Sequence, residues 1–297
     1  MTDSNSPSQP QHFISAAKTR RARNRGAASR PQIAYFENEI GARLLERLTY
    51  IKHQPRTILN MGCGLARHSE QLAKIYPDAT IVQLDSALEI LKLPAPKSLS
   101  QKLRALFKTR SARICAEPTA LPLAPQTVDM VWVNLLNVAS AAPVIIAEFK
   151  RVLKSGGLLM LATVGPDTLQ ELRVAFALVD ALPHVQPQID MHDLGDMLVH
   201  EGFVTPVVDM EMLTLTYPNL NTLAHDLRAA GATNLIAGRR ATLTGKGRWT
   251  RVERAYELQR NSGQLPASVE VIYLHAWRGV ERKTSDGRQI IRFDKTQ

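Results

Sequence analysis

The sequence predicts a doubly wound α/β fold. Three observations carry it. Short apolar runs alternate with helical stripes, the order expected of a parallel sheet with helices on both faces. The first run ends in a glycine-rich turn, where open α/β sheets bind ligands. And 297 residues, 44% of them hydrophobic, bury a sizeable core without disulfides or structural metals.

The elements follow in order. Residues 1–30 hold six basic residues and one acid, Asp3, and read as a disordered basic arm. A stripe at Phe36, Ile40, Leu44, Leu45 and Leu48 opens a domain over 31–280 with a helix. Arg56–Met61 reads as a buried strand, Leu65–Tyr76 as a helix stopped by Pro77, and Thr80–Leu84, Ala112–Ala116 and Val128–Asn134 as further strands. A basic helical stretch near Leu99–Phe107 lies among them. Pro143–Leu153 is a helix ending at the turn signal Ser155-Gly156-Gly157, and Leu158–Val164 is a fifth strand. Thr168–Leu178, Leu194–Glu201, Leu223–Ala229 and Arg251–Arg260 read as helices, Val204–Leu215 and Val269–Trp277 as the last two of about seven strands. Residues 281–297 read as a flexible tail.

Composition narrows the function classes. No apolar run nears the ~20 residues of a membrane span, and no apolar segment follows the polar start as a secretory signal requires. Two cysteines, Cys63 and Cys115, form no disulfide scaffold and lack zinc-ligand spacing; they suit a reducing, cytoplasmic compartment. The net charge of +10 points to an acidic partner. It concentrates in the arm, in 92–113 with seven basic residues and no acid, and in 239–260 with seven basic residues and two acids. Solvated helix faces are the plain reading of these segments, and a transit peptide is a minority reading of the Arg-rich arm. Scarce aromatics, 5% of the chain, weigh against nucleic acid.

Polar features recur at successive strand ends. Gly62-Cys63-Gly64 closes the first strand; Arg67 stands where a dinucleotide fingerprint needs its third glycine, which argues against a dinucleotide. Asp85 ends the second strand at a spacing suited to gripping ribose hydroxyls, with a helix N-cap as the alternative. Glu117 follows the third strand and Asn134 ends the fourth; either could cap a turn.

This order, with Leu121-Pro122, Val128-Asp129-Met130 and Arg151-Val152-Leu153-Lys154-Ser155-Gly156-Gly157, resembles the class I S-adenosylmethionine-dependent methyltransferases. Gly165-Pro166-Asp167-Thr168-Leu169, Met191-His192-Asp193-Leu194-Gly195-Asp196, Asp226-Leu227-Arg228 and Glu270-Val271-Ile272-Tyr273 make it similar to the malonyl-acyl carrier protein O-methyltransferases of biotin synthesis, over about Arg20 to Trp277. The resemblance implies a Rossmann-like seven-stranded sheet, a cofactor half at 31–165 and substrate and lid elements at 166–268, the helical stretch Tyr217–Leu265 covering the acceptor. It implies S-adenosylmethionine as cofactor, with Gly62 and Gly64 flanking its methionine part, Asp85 on the ribose, Glu117 by the adenine, and Asn60, Cys63 and Asn134 around the site. It also implies malonyl-acyl carrier protein as substrate and an ester product that the fatty-acid machinery can elongate toward pimelate; the basic segments 92–113 and 239–260 offer that acidic carrier a docking surface.

The chain departs from the family pattern at four sites. Asn60 stands for a usual acid, Leu65-Ala66 for Thr-Gly, Arg30 for the tyrosine of Ala-Ala-x-Tyr, and Asn137-Val138 for a tryptophan region. They favour two other readings, another acceptor such as a small molecule or RNA, and a repurposed or noncatalytic assembly factor.

A malonyl carboxylate, with a reference pKa of about 4, is already an anion at neutral pH and needs no general base. It needs a cation. Arg173 is the candidate fork, with a surface ion pair to Glu171 or Asp167 as the plain alternative. His192 could line the same mouth or simply bond to its aspartate neighbours. Cys63 reads as a packing residue.

Overall fold

The computed structural model describes residues 14–93, 112–139, 141–240 and 242–280. The chain runs α1 (Ala16–Gly26), α2 (Arg30–Arg47), β1 (Thr57–Met61), α3 (Arg67–Ile75), β2 (Thr80–Asp85), α4 (Leu88–Lys92), β3 (Ala112–Cys115), β4 (Val128–Asn134), α5 (Ala142–Val152) and β5 (Leu153–Val164). It continues through α6 (Gln170–Ala177), α7 (Met191–Glu201), β6 (Phe203–Tyr217), α8 (Leu220–Ala230), α9 (Lys246–Glu257) and β7 (Leu265–Arg278).

Among the described residues seven strands form one sheet in the order β3-β2-β1-β4-β5-β7-β6. β1 to β5 pair in parallel; β7 is antiparallel to both β5 and β6. Strand alternation explains the two faces. In β4, Val131 and Val133 join Phe149 of α5 and Leu198 of α7 in one core, whereas Met130 and Trp132 join Ile40 of α2 and Leu72 of α3 in the other. A third apolar cluster, with Leu172, Leu223, Val252 and Tyr256, holds α6, α8 and α9 over the far ends of β6 and β7.

The structure corrects three expectations. Residues 16–30 are helical rather than a disordered arm: Ala22 is buried with Ile14 and Leu235, and Gly26, one turn on, is buried against α8, where a Cβ would lie 2.5 Å from the Ala229 carbonyl. The Ser155-Gly156-Gly157 turn is an irregular entry into β5, with Gly156 at φ +72° and a register break opposite Val128. The last two strands are longer than the apolar runs: β6, at the sheet edge, alternates exposed residues on a solvated face, and β7, paired between β5 and β6, is buried along most of its length and holds polar residues such as Ser268 and Glu270 inside. The arm before residue 14, the helix near 99–107 and the tail 281–297 lie outside the described residues.

Candidate active site

The ends of β1 to β5 point into one cavity of about 710 Å³, a size that suits a small-molecule site. Its floor is backbone bent by left-handed residues. Gly62 at the end of β1 takes φ +68° and donates its N–H to the Leu84 carbonyl at 2.8 Å. Leu135 after β4 and Leu169 after β5 also line the cavity, at φ +55° and +57°. Left-handed leucine costs energy that the surroundings must supply, a pattern common at functional sites.

Asp85 is fully buried at the cavity wall. Its carboxylate accepts from Arg23 Nη2 at 2.7 Å, the Ala87 N–H at 2.9 Å and the Gly64 N–H at 3.2 Å. Burial alone would raise its pKa; the Arg23 charge and the Ala87 amide outweigh that and hold it below the usual carboxylate value. The amide contact is a local turn and not the helix N-cap that was the alternative, since Ala87 caps α4 without a side-chain bond; the place on the wall is the one the ribose reading needs. Glu117 lines the same cavity, paired with Arg20. Two arginines one turn apart on α1 thus reach the acids that end β2 and follow β3.

Three expected cofactor contacts sit behind the wall instead. Asn60, 1% exposed, donates to Ser69 Oγ at 2.8 Å and ties β1 to α3. Cys63 is buried, and burial first pushes its thiol up to about 12, so it is the packing residue that its size suggested. Asn134 donates its amide to the Glu37 carbonyl at 2.9 Å and anchors α2. Gly64 belongs to the loop, at φ +52°, its missing Cβ leaving room beside Glu37 and Arg30.

The substrate candidates also move. Arg173 is exposed on α6 and donates to the Pro166 carbonyl at 2.7 Å, facing a separate pocket with Asp180 and His184. Its expected ion-pair partner Glu171 turns inward to accept from the Ser268 N–H at 3.0 Å. His192 is exposed at the start of α7, bonded to Asp190 at 2.8 Å, and does not line the cavity. A helix N-cap explains it: Asp190 accepts the His192 amide as well.

The cations that do line the cavity are Arg23, Arg30, Arg228, Arg239 and Arg240. Arg240 donates to Asp180 at 3.1 Å, and His184 bonds the same carboxylate at 2.7 Å. The His184 bond is the main cause holding Asp180 down at about 2. Arg30 pairs with Glu37 and donates to the Ala230 carbonyl at 3.1 Å. Arg228 has no side-chain partner among the described residues.

Helix α8 roofs the apolar half. Tyr217 donates to Asp226 at 3.3 Å, Tyr35 of α2 reaches the same carboxylate, and His225 meets Gln32 at 3.2 Å. Sequence reasoning missed Arg20, Arg23 and Glu37, having counted the arginines as a charged arm, and noted Arg30 only as standing in place of a tyrosine. The small residues Ala22 and Gly26 at helical spacing were the available signal that this arm packs.

A family model described as a methyltransferase domain matches residues 59–161, from β1 to β5. The chain is 43% identical over 286 residues to the malonyl-acyl-carrier protein O-methyltransferase of Laribacter hongkongensis, covering 95% of this chain and 96% of the relative. It is 46% identical over 275 residues to that of Gallionella capsiferriformans, covering 92% and 94%. Among solved structures, BH2331 of Bacillus halodurans C-125, named as a methyltransferase, superposes with a TM-score of 0.55 at 13% identity, over 81% of this chain and 99% of the other. YcgJ of Bacillus subtilis gives 0.53 at 12% identity, over 80% and 97%. These two share the fold. Identity above two fifths over nearly the whole length of both chains shows more: the chain belongs to the malonyl-acyl-carrier protein O-methyltransferase family.

Proposed function

We propose that the protein moves a methyl group from S-adenosylmethionine to the free carboxylate of malonyl-acyl carrier protein, in the biotin route. The observation that carries this reading is the single cavity joining the Gly62–Asp85–Glu117 end to an apolar chamber under α8. The residues present suit the cofactor. A carboxylate offers about four acceptor sites, and three protein donors reach Asp85, so one site is left for a ribose hydroxyl once the neighbouring Arg23 guanidinium shifts off this fully buried side chain. Gly62 keeps bare backbone at the wall.

When bound, the cofactor supplies an electrophilic methyl on a sulfonium with a neutral leaving group. The protein's task is alignment and exclusion of water. Helices α1, α2 and α8 close over the cavity. Leu172, Phe176, Leu223 and Trp249 line the chamber for the thioester arm. Arg228, a guanidinium on the lining with no side-chain partner among the described residues, takes the carboxylate-positioning role first expected of Arg173. No base is required, because the acceptor is ionised.

The basic stretch 239–260 is partly spent internally. Arg240 and Arg248 face Asp180, and Arg260 pairs with Glu257. Lys246, Arg251 and Arg254 stay exposed on α9 and form the docking face for an acidic carrier protein. The remaining segment, 94–111, lies outside the described residues.

Rescue of a biotin auxotroph lacking its methyltransferase tests the reaction; failure to rescue from an expressed, folded protein contradicts it. Charge reversal of Arg251 and Arg254 tests the docking face. Turnover on malonyl-carrier protein should fall more than turnover on a small malonyl thioester. Equal losses on both would remove the docking assignment.

A further inference from the structure

Position 30 opens α2 with an arginine that is 5% exposed and lines the cavity. Its Nη2 pairs with Glu37, two turns along the same helix. Its Nε is buried and has no acceptor. A Cβ built on Gly64 would lie 3.9 Å from that Nε and 3.5 Å from Glu37 Oε2, an oxygen that accepts no bond from any described residue. An unmet donor and an unmet carboxylate oxygen therefore flank the same stretch of bare backbone.

Buried donors without partners are uncommon and point to an absent partner. Burial lowers the Arg30 pKa despite the neighbouring Glu37, so this guanidinium gains from a further anion. An anion alone would meet the Glu37 carboxylate, and a cation alone would meet Arg30 and Arg23. A ligand end carrying both charges satisfies both groups. The α2 backbone holds the pair in place: Asn134 bonds the Glu37 carbonyl at 2.9 Å and Arg30 bonds the Ala230 carbonyl at 3.1 Å.

We propose that Arg30 and Glu37 form a two-charge clamp for the α-amino-acid end of the cofactor, Arg30 taking its carboxylate and Glu37 its ammonium. The inference rests on the cofactor reading above and specifies which side chains of this chain read the zwitterion. No covalent step is involved.

Calorimetric binding to the whole protein tests it with two probes, S-adenosylhomocysteine and 5′-methylthioadenosine. The second carries the adenosine and sulfur but no amino-acid end. Arg30→Met should weaken S-adenosylhomocysteine about ten- to hundredfold, the scale of a charged hydrogen bond, and leave methylthioadenosine within about twofold. Glu37→Gln, nearly isosteric, should give the same split if Arg30→Met fails to fold. Equal weakening of both probes would show a merely structural pair and overturn the clamp; so would unchanged S-adenosylhomocysteine binding in both variants. If neither probe binds the unaltered protein, the cofactor reading falls and the clamp with it.

Discussion

His68 gives the sharpest test of how α2 is seated. The ring is 7% exposed on α3, its Nε2 is buried without a partner, and it lies under Gly41 of α2, where a Cβ would sit 1.8 Å from Nε2. Burial, helped by Arg67, pushes its pKa down to about 4 from an ordinary 6.5. The folded state therefore keeps His68 neutral while the unfolded chain takes up a proton. Stability is fully present above pH 6.5 and is lost as pH falls from 6.5 toward 4. At about 1.4 kcal/mol per pH unit, the loss reaches about 2 kcal/mol by pH 5 and about 3 kcal/mol in full. The perturbation is His68→Gln, which fills similar space and does not titrate. Urea unfolding of both proteins at about pH 7.5 and pH 5 reads the difference. His275, whose pKa burial also lowers, contributes equally to both and cancels. We expect the unaltered protein to lose about 2 kcal/mol more than the variant over that interval. Parallel losses would refute the reasoning that His68 is held neutral beneath α2.

Other expectations follow from the same packing. Ala66 caps α3 at φ +60°, a left-handed conformation that glycine adopts without strain; Ala66→Gly should raise stability by about 1 kcal/mol in urea unfolding. Gly165→Ala would place a Cβ 2.3 Å from the Glu270 carboxyl carbon, displacing the acceptor of the Asp167 amide, and should cost about 1–3 kcal/mol, read as a lowered Tm. Gly26→Ala should lift α1 off α8, exposing the α1 arginines to trypsin in the folded protein. Under native conditions an alkylating reagent should modify exposed Cys115 and spare Cys63 until the chain is unfolded.

Much of this was legible in the sequence because strand ends carry their own marks. Gly62, Asp85 and Glu117 stand at three successive strand ends, and the structure brings all three to one cavity. Asn60 and Asn134 share that address but turn away from it. A β-strand alternates its faces, and which face a polar side chain takes depends on partners such as Ser69 and the Glu37 carbonyl, which no spacing reveals. Arg173 and His192 were chosen by chemistry alone; local caps and carbonyls claim them. The basic arm misled most. Charge suggested disorder, whereas Arg20, Arg23 and Arg30 find acids 7 to 97 residues away in sequence, through a helix whose small face packs under α8.

Methyl transfer to one carboxylate in this cavity has a direct readout in mass. Intact-protein mass spectrometry tests it most directly, with purified protein, S-adenosylmethionine and either malonyl- or acetyl-acyl carrier protein. The malonyl form alone should gain one methyl group, and Arg228→Met should slow this gain at limiting carrier concentration. A methyl group on the acetyl form as well, or none on the malonyl form, would contradict it.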